Sequence, residues 1–304
     1  MSNPANQIDQ TPDYRARVAF AVMAICMSLS FVFVKISLEG FTLVQAAGGR
    51  LVLGAIVLIP IAFWFGDGLP RKLWFWKWAV VLGLMNFAVP ISLTTYGLLR
   101  LPSNVVGALY SLIPLATIAL SSIFLGAKIS RQKLLGLGIG FLGLLVITEP
   151  TKWVEATGPE HALPMLATLG AVACFASAAI AMRLMPKVHP VSMVGASALV
   201  ASVFGMIPFL SVFEGDPPSV RAWIGLLGVS ILSTAIAYSI RFYLIRRKGP
   251  VFLAPNAYVG IILVNVFGVT LLGDRITPAM MIAFPLILVG LYIARDSSGH
   301  MKQV

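Results

Sequence analysis

The chain has 304 residues, 59% of them apolar and only 11% charged, with a mean hydropathy of +0.93. A soluble domain carries roughly 25% charged residues, so this composition excludes a soluble globular protein and points to a polytopic membrane protein. The net charge of +11 would suggest nucleic acid in a soluble chain, but here the basic residues sit in short loops between apolar blocks, where they read as a topology signal, and no nucleic-acid partner is expected.

The N-terminal tail, residues 1–16, is polar and leads into a full-length apolar block, so no cleavable leader is expected. The apolar blocks have the length of about 20 residues needed to cross a hydrocarbon core of about 30 Å as helices. In chain order they predict spans at 17–36, 43–65, 75–98, 103–125 and 132–148, then at 163–183, 191–213, 222–245, 251–273 and 278–295. The longest connection, about residues 149–162, falls midway and reads as a periplasmic linker between a first five-helix unit (17–148) and a second (163–295), with 296–304 as a C-terminal tail. Cys26 and Cys174 lie inside apolar blocks and read as small buried residues, with no disulfide expected.

With the N-terminus placed in the cytoplasm, sixteen of the 22 basic residues fall on the cytoplasmic side. Five fall outside (Lys35, Arg100, Lys152, Arg221 and Arg275), and Arg50 lies within the second span. This asymmetry puts both termini in the cytoplasm. All eleven acids lie in loops, tails or span ends, which argues against coupling through a membrane-buried carboxylate.

The two halves repeat each other. FLGAKIS (124–130) and LLGDRIT (271–277) share Leu-Gly-x-Lys/Arg-Ile-Ser/Thr at an offset of 147. The same offset relates Trp76 to Trp223, Tyr96 to Tyr243, Arg100 to Arg247 and Gly143 to Gly290, while an offset of 148 relates Cys26 to Cys174 and Pro60 to Pro208. A duplicated unit with five spans must enter the membrane from the opposite side the second time. The expected fold is therefore all-α, ten transmembrane helices as two inverted five-helix repeats around a central cavity, the plan of many secondary transporters.

Five plus five spans, with this turn after the fourth span of each half, resemble the EamA-type branch of the drug/metabolite transporter superfamily over residues 17–295. Among its members the chain is most similar to bacterial aromatic amino-acid exporters. The resemblance implies a basket with spans 1, 3, 4, 6, 8 and 9 around the cavity and spans 5 and 10 at the periphery. Where the family has Leu-Gly-Glu, this chain has Ala127 and Asp274, and its Arg50 matches an arginine the family often carries early in the second span.

Polar residues in cavity spans are the candidate substrate contacts, because polar side chains avoid lipid. They are Ser28 in span one, Asn86 and Thr94 in span three, Tyr110 and Ser111 in span four, Tyr238 in span eight, and Asn256 and Tyr258 in span nine. Phe31 completes the wall. Thr234 and Arg241 share the Tyr238 face, Asn265 shares that of Tyr258, and Ser233 is the repeat partner of Asn86. For each, an interhelical hydrogen bond is the plainer reading. Pro90 and Pro255 are expected to break spans three and nine as hinges or as fixed kinks. Arg50 is expected either to bind a substrate carboxylate or to pair structurally, with Glu39 or with backbone carbonyls, and Lys35 and Arg241 to snorkel to the interface. Gly136, Gly140 and Gly143 form a small-residue face in span five that matches Ala283 and Gly290 in span ten, a helix-packing seam that closes the molecule on itself as a monomer. His161, His189 and His300 lack metal-ligand spacing, and no metal or cofactor is expected.

These features predict a secondary transporter that exports amino acids or related small metabolites across a bacterial inner membrane by alternating access, with a small-molecule solute and the lipid bilayer as its partners. Export of drugs or other amphipathic compounds is the alternative. A membrane-embedded enzyme would show an interfacial cluster of His, Asp, Glu or Cys, which the sequence lacks. Arg50 as the one deeply placed cation speaks against polyanionic substrates.

Overall fold

The computed structural model describes residues 14–101, 103–127, 129–147, 158–210, 217–272 and 277–294. The helices are α1 (Tyr14–Ser37), α2 (Leu43–Phe65), α3 (Leu73–Leu98), α4 (Ser103–Tyr110 and Ile113–Leu125) and α5 (Arg131–Ile147), then α6 (Ala162–Leu184), α7 (Pro190–Phe209), α8 (Val220–Lys248), α9 (Asn256–Leu272) and α10 (Pro278–Ala294). Among the described residues eight spans are long and apolar enough to cross a membrane, that of α9 when the 3-10 turn before it is included (Pro250–Leu271); α5 and α10 have 17 residues each. Lys128, residues 273–276, most of the mid-chain linker and both tails lie outside the described residues.

The helix ends have local causes. Thr42 and Gln45 form a reciprocal capping box at the start of α2, and the Ser219 hydroxyl accepts from the Ala222 N–H at the start of α8. The first copy of the duplicated turn is a stop signal followed by a start signal. Gly126 ends α4 with φ +60°, the left-handed conformation glycine adopts most readily, and Ser130 then accepts the Lys133 N–H at the start of α5. Thr277 accepts the Met280 N–H at the start of α10 in the same way.

Three spans differ from the sequence expectation. Span four is interrupted at Ser111 and Leu112, because Pro114 has no N–H to give the Tyr110 carbonyl. Span nine opens with a 3-10 turn, Pro250–Leu253, so Pro255 sits at the entrance to α9 and does not interrupt it. The seventh helix stops at Phe209, short of the expected residue 213.

Two helices contain a π-helical stretch that the apolar pattern did not announce: Leu84–Ala88 in α3 and Ser230–Ala237 in α8. The offset of 147 carries Leu84–Ala88 onto residues 231–235, so the wide turns occupy equivalent places in the two halves. In α3 the stretch precedes Pro90, which cannot donate to the Asn86 carbonyl.

Packing follows the repeat. The first helix lies against α8 and α9, and its equivalent α6 lies against α3 and α4. The equivalent helices α2 and α7 pack on each other, as do α5 and α10. Both pairs run antiparallel at backbone contact. A Cβ on Gly48 would lie 2.5 Å from the Gly205 carbonyl oxygen, and one on Gly205 would lie 2.7 Å from that of Gly48, while Gly195 faces Leu58 and Ala62. In the other pair a Cβ on Gly136 would lie 2.4 Å from the Ala294 nitrogen, one on Gly290 would lie 2.5 Å from the Gly140 nitrogen, and Gly143 faces Ala283 and Ile287. Backbones this close leave room for hydrogen only, which is why these positions are glycine. The repeat also keeps a local device: Arg100 lies 4.1 Å over the Tyr96 ring, and Arg247 lies 5.9 Å over Tyr243 while donating to its hydroxyl.

Candidate functional site: a polar centre between the two halves

The π stretches bring polar groups of both halves together. Asn86 lies in the first, and its repeat partner Ser233 lies in the second beside Thr234; all three are buried. Each stretch is held by a guanidinium from the other half. Arg50 of α2 donates from Nε to Thr234 Oγ1 (3.2 Å) and from Nη2 to Ser233 Oγ. Arg241 of α8 donates to Asn86 Oδ1 (3.0 Å) and to the Phe175 carbonyl of α6 (3.4 Å).

Aromatic rings surround these bonds. Arg241 lies 5.6 Å from the Tyr238 ring centre and 5.8 Å from that of Phe175. Tyr238 packs on Phe87 with ring centres 4.6 Å apart, and Tyr110 meets Phe175 edge-on at 6.0 Å. The Tyr110 hydroxyl shares a hydrogen bond with Thr94, which is also bonded to the Pro90 carbonyl. Thus Asn86, Thr94, Tyr110, Tyr238 and Arg50 meet in one region, between α2, α3, α4, α6 and α8.

A family model described as the EamA-like transporter family matches this chain twice, over residues 16–149 and 162–295. The chain belongs to the EamA-like transporter family. The double match also marks the same two halves as the internal repeat. Among relatives of this EamA-like transporter, an "Uncharacterized transporter" of Archaeoglobus fulgidus is 26% identical over 91% of this chain and 97% of its own length. The "Uncharacterized transporter YvbV" of Bacillus subtilis is 26% identical over 78% of this chain and 77% of its own. Protein PecM of Dickeya dadantii is 23% identical over 82% of each. A solved crystal structure superposes with a TM-score of 0.78 at 18% identity, covering 92% of this chain and 97% of that one, which shows the fold alone. The chain is a multi-pass membrane transporter of this family.

The remaining sequence candidates of this EamA-like transporter lie elsewhere. Tyr258 is fully buried, its hydroxyl donates to the Leu137 carbonyl of α5 (2.7 Å), and its ring covers Gly140. Ser28 is buried at the α1–α9 contact, with its hydroxyl 2.8 Å from the Ala24 carbonyl and 3.2 Å from that of Gly260. Ser111 is buried and bonded back to the Ala108 carbonyl. Asn256 points its Nδ2 at the Met27 sulfur (3.6 Å), and its buried Oδ1 has no partner among the described residues. Phe31 is 62% exposed. Asn265 lines a crevice of about 320 Å³ between α9 and α10 with Val269, Thr270, Met280 and Phe284, apart from the polar centre. Among the described residues no group of His, Cys, Asp or Glu is placed to hold a metal ion.

Two expectations for arginines are corrected. Arg50 does not pair with Glu39, which is bound by Arg221 at 3.2 Å, but with hydroxyls of α8. Arg241 does not snorkel outward; its guanidinium is drawn inward by Asn86, the Phe175 carbonyl and two aromatic faces. The sequence held a signal for this, since Arg241 shares a helical face with Thr234 and Tyr238.

Proposed function

We propose that the chain is a secondary transporter that exports amino acids, aromatic ones among them, and related small metabolites by alternating access. The observation that carries this reading is the pair of guanidinium bonds, Arg50 to Ser233 and Thr234 and Arg241 to Asn86, each joining one half to a π stretch of the other. Bonds between neutral hydroxyls or amides and a guanidinium can be exchanged for bonds to a solute at modest cost. They lie where the halves would part, and π turns are common at functional sites. Aromatic rings beside hydroxyl and amide groups suit a small amphipathic zwitterion.

In this reading α5 and α10 join the eight longer helices to give ten spans, and the second half is inverted relative to the first. The antiparallel contact of the equivalent pairs α2–α7 and α5–α10 supports it, because a two-fold relation between antiparallel helices has its axis across them. The basic-residue asymmetry supports both termini in the cytoplasm, and a bacterial inner membrane is the location this reading assigns. The α5–α10 seam satisfies itself within one chain, which supports a monomer.

The test is reconstitution of the purified protein in liposomes and measurement of labelled amino-acid flux with and without a proton gradient. Saturable flux that other amino acids compete for is expected. Absence of saturable amino-acid flux under both conditions would sink the reading.

A further inference from the structure

Among the described residues the polar centre has two cations and no anion. Arg50 and Arg241 contact hydroxyls, an amide, a backbone carbonyl and aromatic faces, and among the described residues neither has a carboxylate within ion-pairing distance. The eleven acids of the chain all lie in loops, tails or span ends. A cation held among apolar helices is costly unless it is compensated.

Asn86 deepens the imbalance. It is 1% exposed, its oxygen accepts from Arg241, and among the described residues its Nδ2 has no acceptor. A buried amide N–H without a partner is rare and costs about 1–3 kcal/mol. An arginine has five N–H donors; Arg241 gives one to Asn86 and one to the Phe175 carbonyl and also hydrogen-bonds Tyr238, so donors remain. The Asn86 nitrogen, one bond from the carbon that carries the bonded oxygen, therefore sits beside a guanidinium with donors to spare. The group is rich in donors and lacks an acceptor.

We propose that the Arg241–Asn86 pair is the recognition site for the carboxylate of the transported solute, with Tyr238, Phe87 and Phe175 receiving its apolar portion. A carboxylate accepts from a guanidinium and an amide together, supplies the missing negative charge and satisfies Nδ2. Arg50 keeps its own partners, Ser233 and Thr234, while Arg241 is the arginine bonded to Asn86. This assignment rests on the transport reading above.

The test uses proteoliposomes, labelled L-phenylalanine and labelled 3-phenylpropionate, with phenylalaninamide and phenethylamine as unlabelled competitors. The site predicts that 3-phenylpropionate, which keeps the carboxylate, competes with phenylalanine. Phenylalaninamide and phenethylamine, which lack it, should compete about tenfold or more weakly. Arg241→Gln should erase this discrimination and Arg241→Lys should keep part of it; Asn86→Leu, which leaves both arginines in place, should also reduce it. Unfolding temperature in detergent verifies that each variant is folded, and the competition series on the unaltered protein decides the matter if none is. Saturable phenylalanine flux competed equally by the amide and the amine overturns the carboxylate site and leaves the transport reading standing. Saturable flux of 3-phenylpropionate without phenylalanine flux keeps the site and overturns the amino-acid reading. No saturable flux of either overturns both.

Discussion

Tyr258 and Arg50 look alike in a sequence, each a polar residue inside an apolar span, yet their surroundings set different consequences. The Tyr258 hydroxyl ties α9 to the Leu137 carbonyl of α5 while its ring packs over Gly140. Tyr258→Phe keeps the ring and loses the bond. The expected cost is about 0.6 kcal/mol and at most about 1.7, seen as a slightly lower unfolding temperature in detergent with amino-acid flux retained. Arg50 holds two hydroxyls of the other half instead. In Arg50→Met, Ser233 and Thr234 can turn back to carbonyls of their own helix, so stability should change by about 1 kcal/mol or less. Flux should nevertheless fall to background, because the bond that links the halves at the π stretch is gone. A variant that unfolds, or one that transports normally, would refute that account. The sequence could not separate these two residues. Each was a polar position inside an apolar span, and what distinguishes them is a partner 121 residues away in one case and 183 in the other.

At the scale of helices, close approach and backbone register do most of the work. Gly136 and Gly138 stand two residues apart in α5, but a Cβ on Gly136 would meet the α10 backbone at 2.4 Å, whereas one on Gly138 meets nothing within 4 Å. Gly136→Leu should therefore lower the unfolding temperature sharply, as overpacking costs typically about 1–3 kcal/mol or more. Gly138→Ala should be neutral or slightly stabilising through helix propensity. Equal effects in a thermal-unfolding comparison would contradict the seam. The seam was readable in advance because small residues at i, i+4 and i+7 advertise their purpose. So was α2, whose bounds, 43 to 65, agree with the expected ones because the Thr42–Gln45 box and Gly66 punctuate it. The π stretches were not readable. A wide turn uses the same apolar residues as an α-helix, and only hydrogen-bond register distinguishes them. In α3 the stretch meets Pro90, and Pro90→Ala should restore an unbroken α register there. Slower flux at unchanged expression would identify the wide turn as a moving part. An unchanged rate in vesicles would mark it as a fixed kink.

For the whole molecule, the inverted arrangement makes a prediction about sides. Ser130, between α4 and α5, and Ser219, at the start of α8, fall on opposite faces of the membrane in the ten-span reading. With Cys26 and Cys174 replaced, Ser130→Cys should react with a membrane-impermeant thiol reagent only after the cytoplasmic face is opened. Ser219→Cys should react in intact spheroplasts; labelling of both from one side would refute the inversion. The duplication itself was legible, because matched positions such as Tyr96–Arg100 and Tyr243–Arg247 keep one offset and one local contact. The inward turn of Arg241 was not, since a guanidinium near a helix end goes to water or to the interior according to neighbours supplied by other helices. The same dependence bears on biosynthesis. Arg50 emerges in the second helix, while Thr234, its partner, is 184 residues further along. At roughly 5–20 residues per second the ribosome needs about 10–40 s to make that stretch. Throughout that interval an arginine waits in a nascent bundle that cannot yet satisfy it. The first half made alone would keep it in that condition permanently, which marks an orphaned half-transporter as a target for membrane quality control.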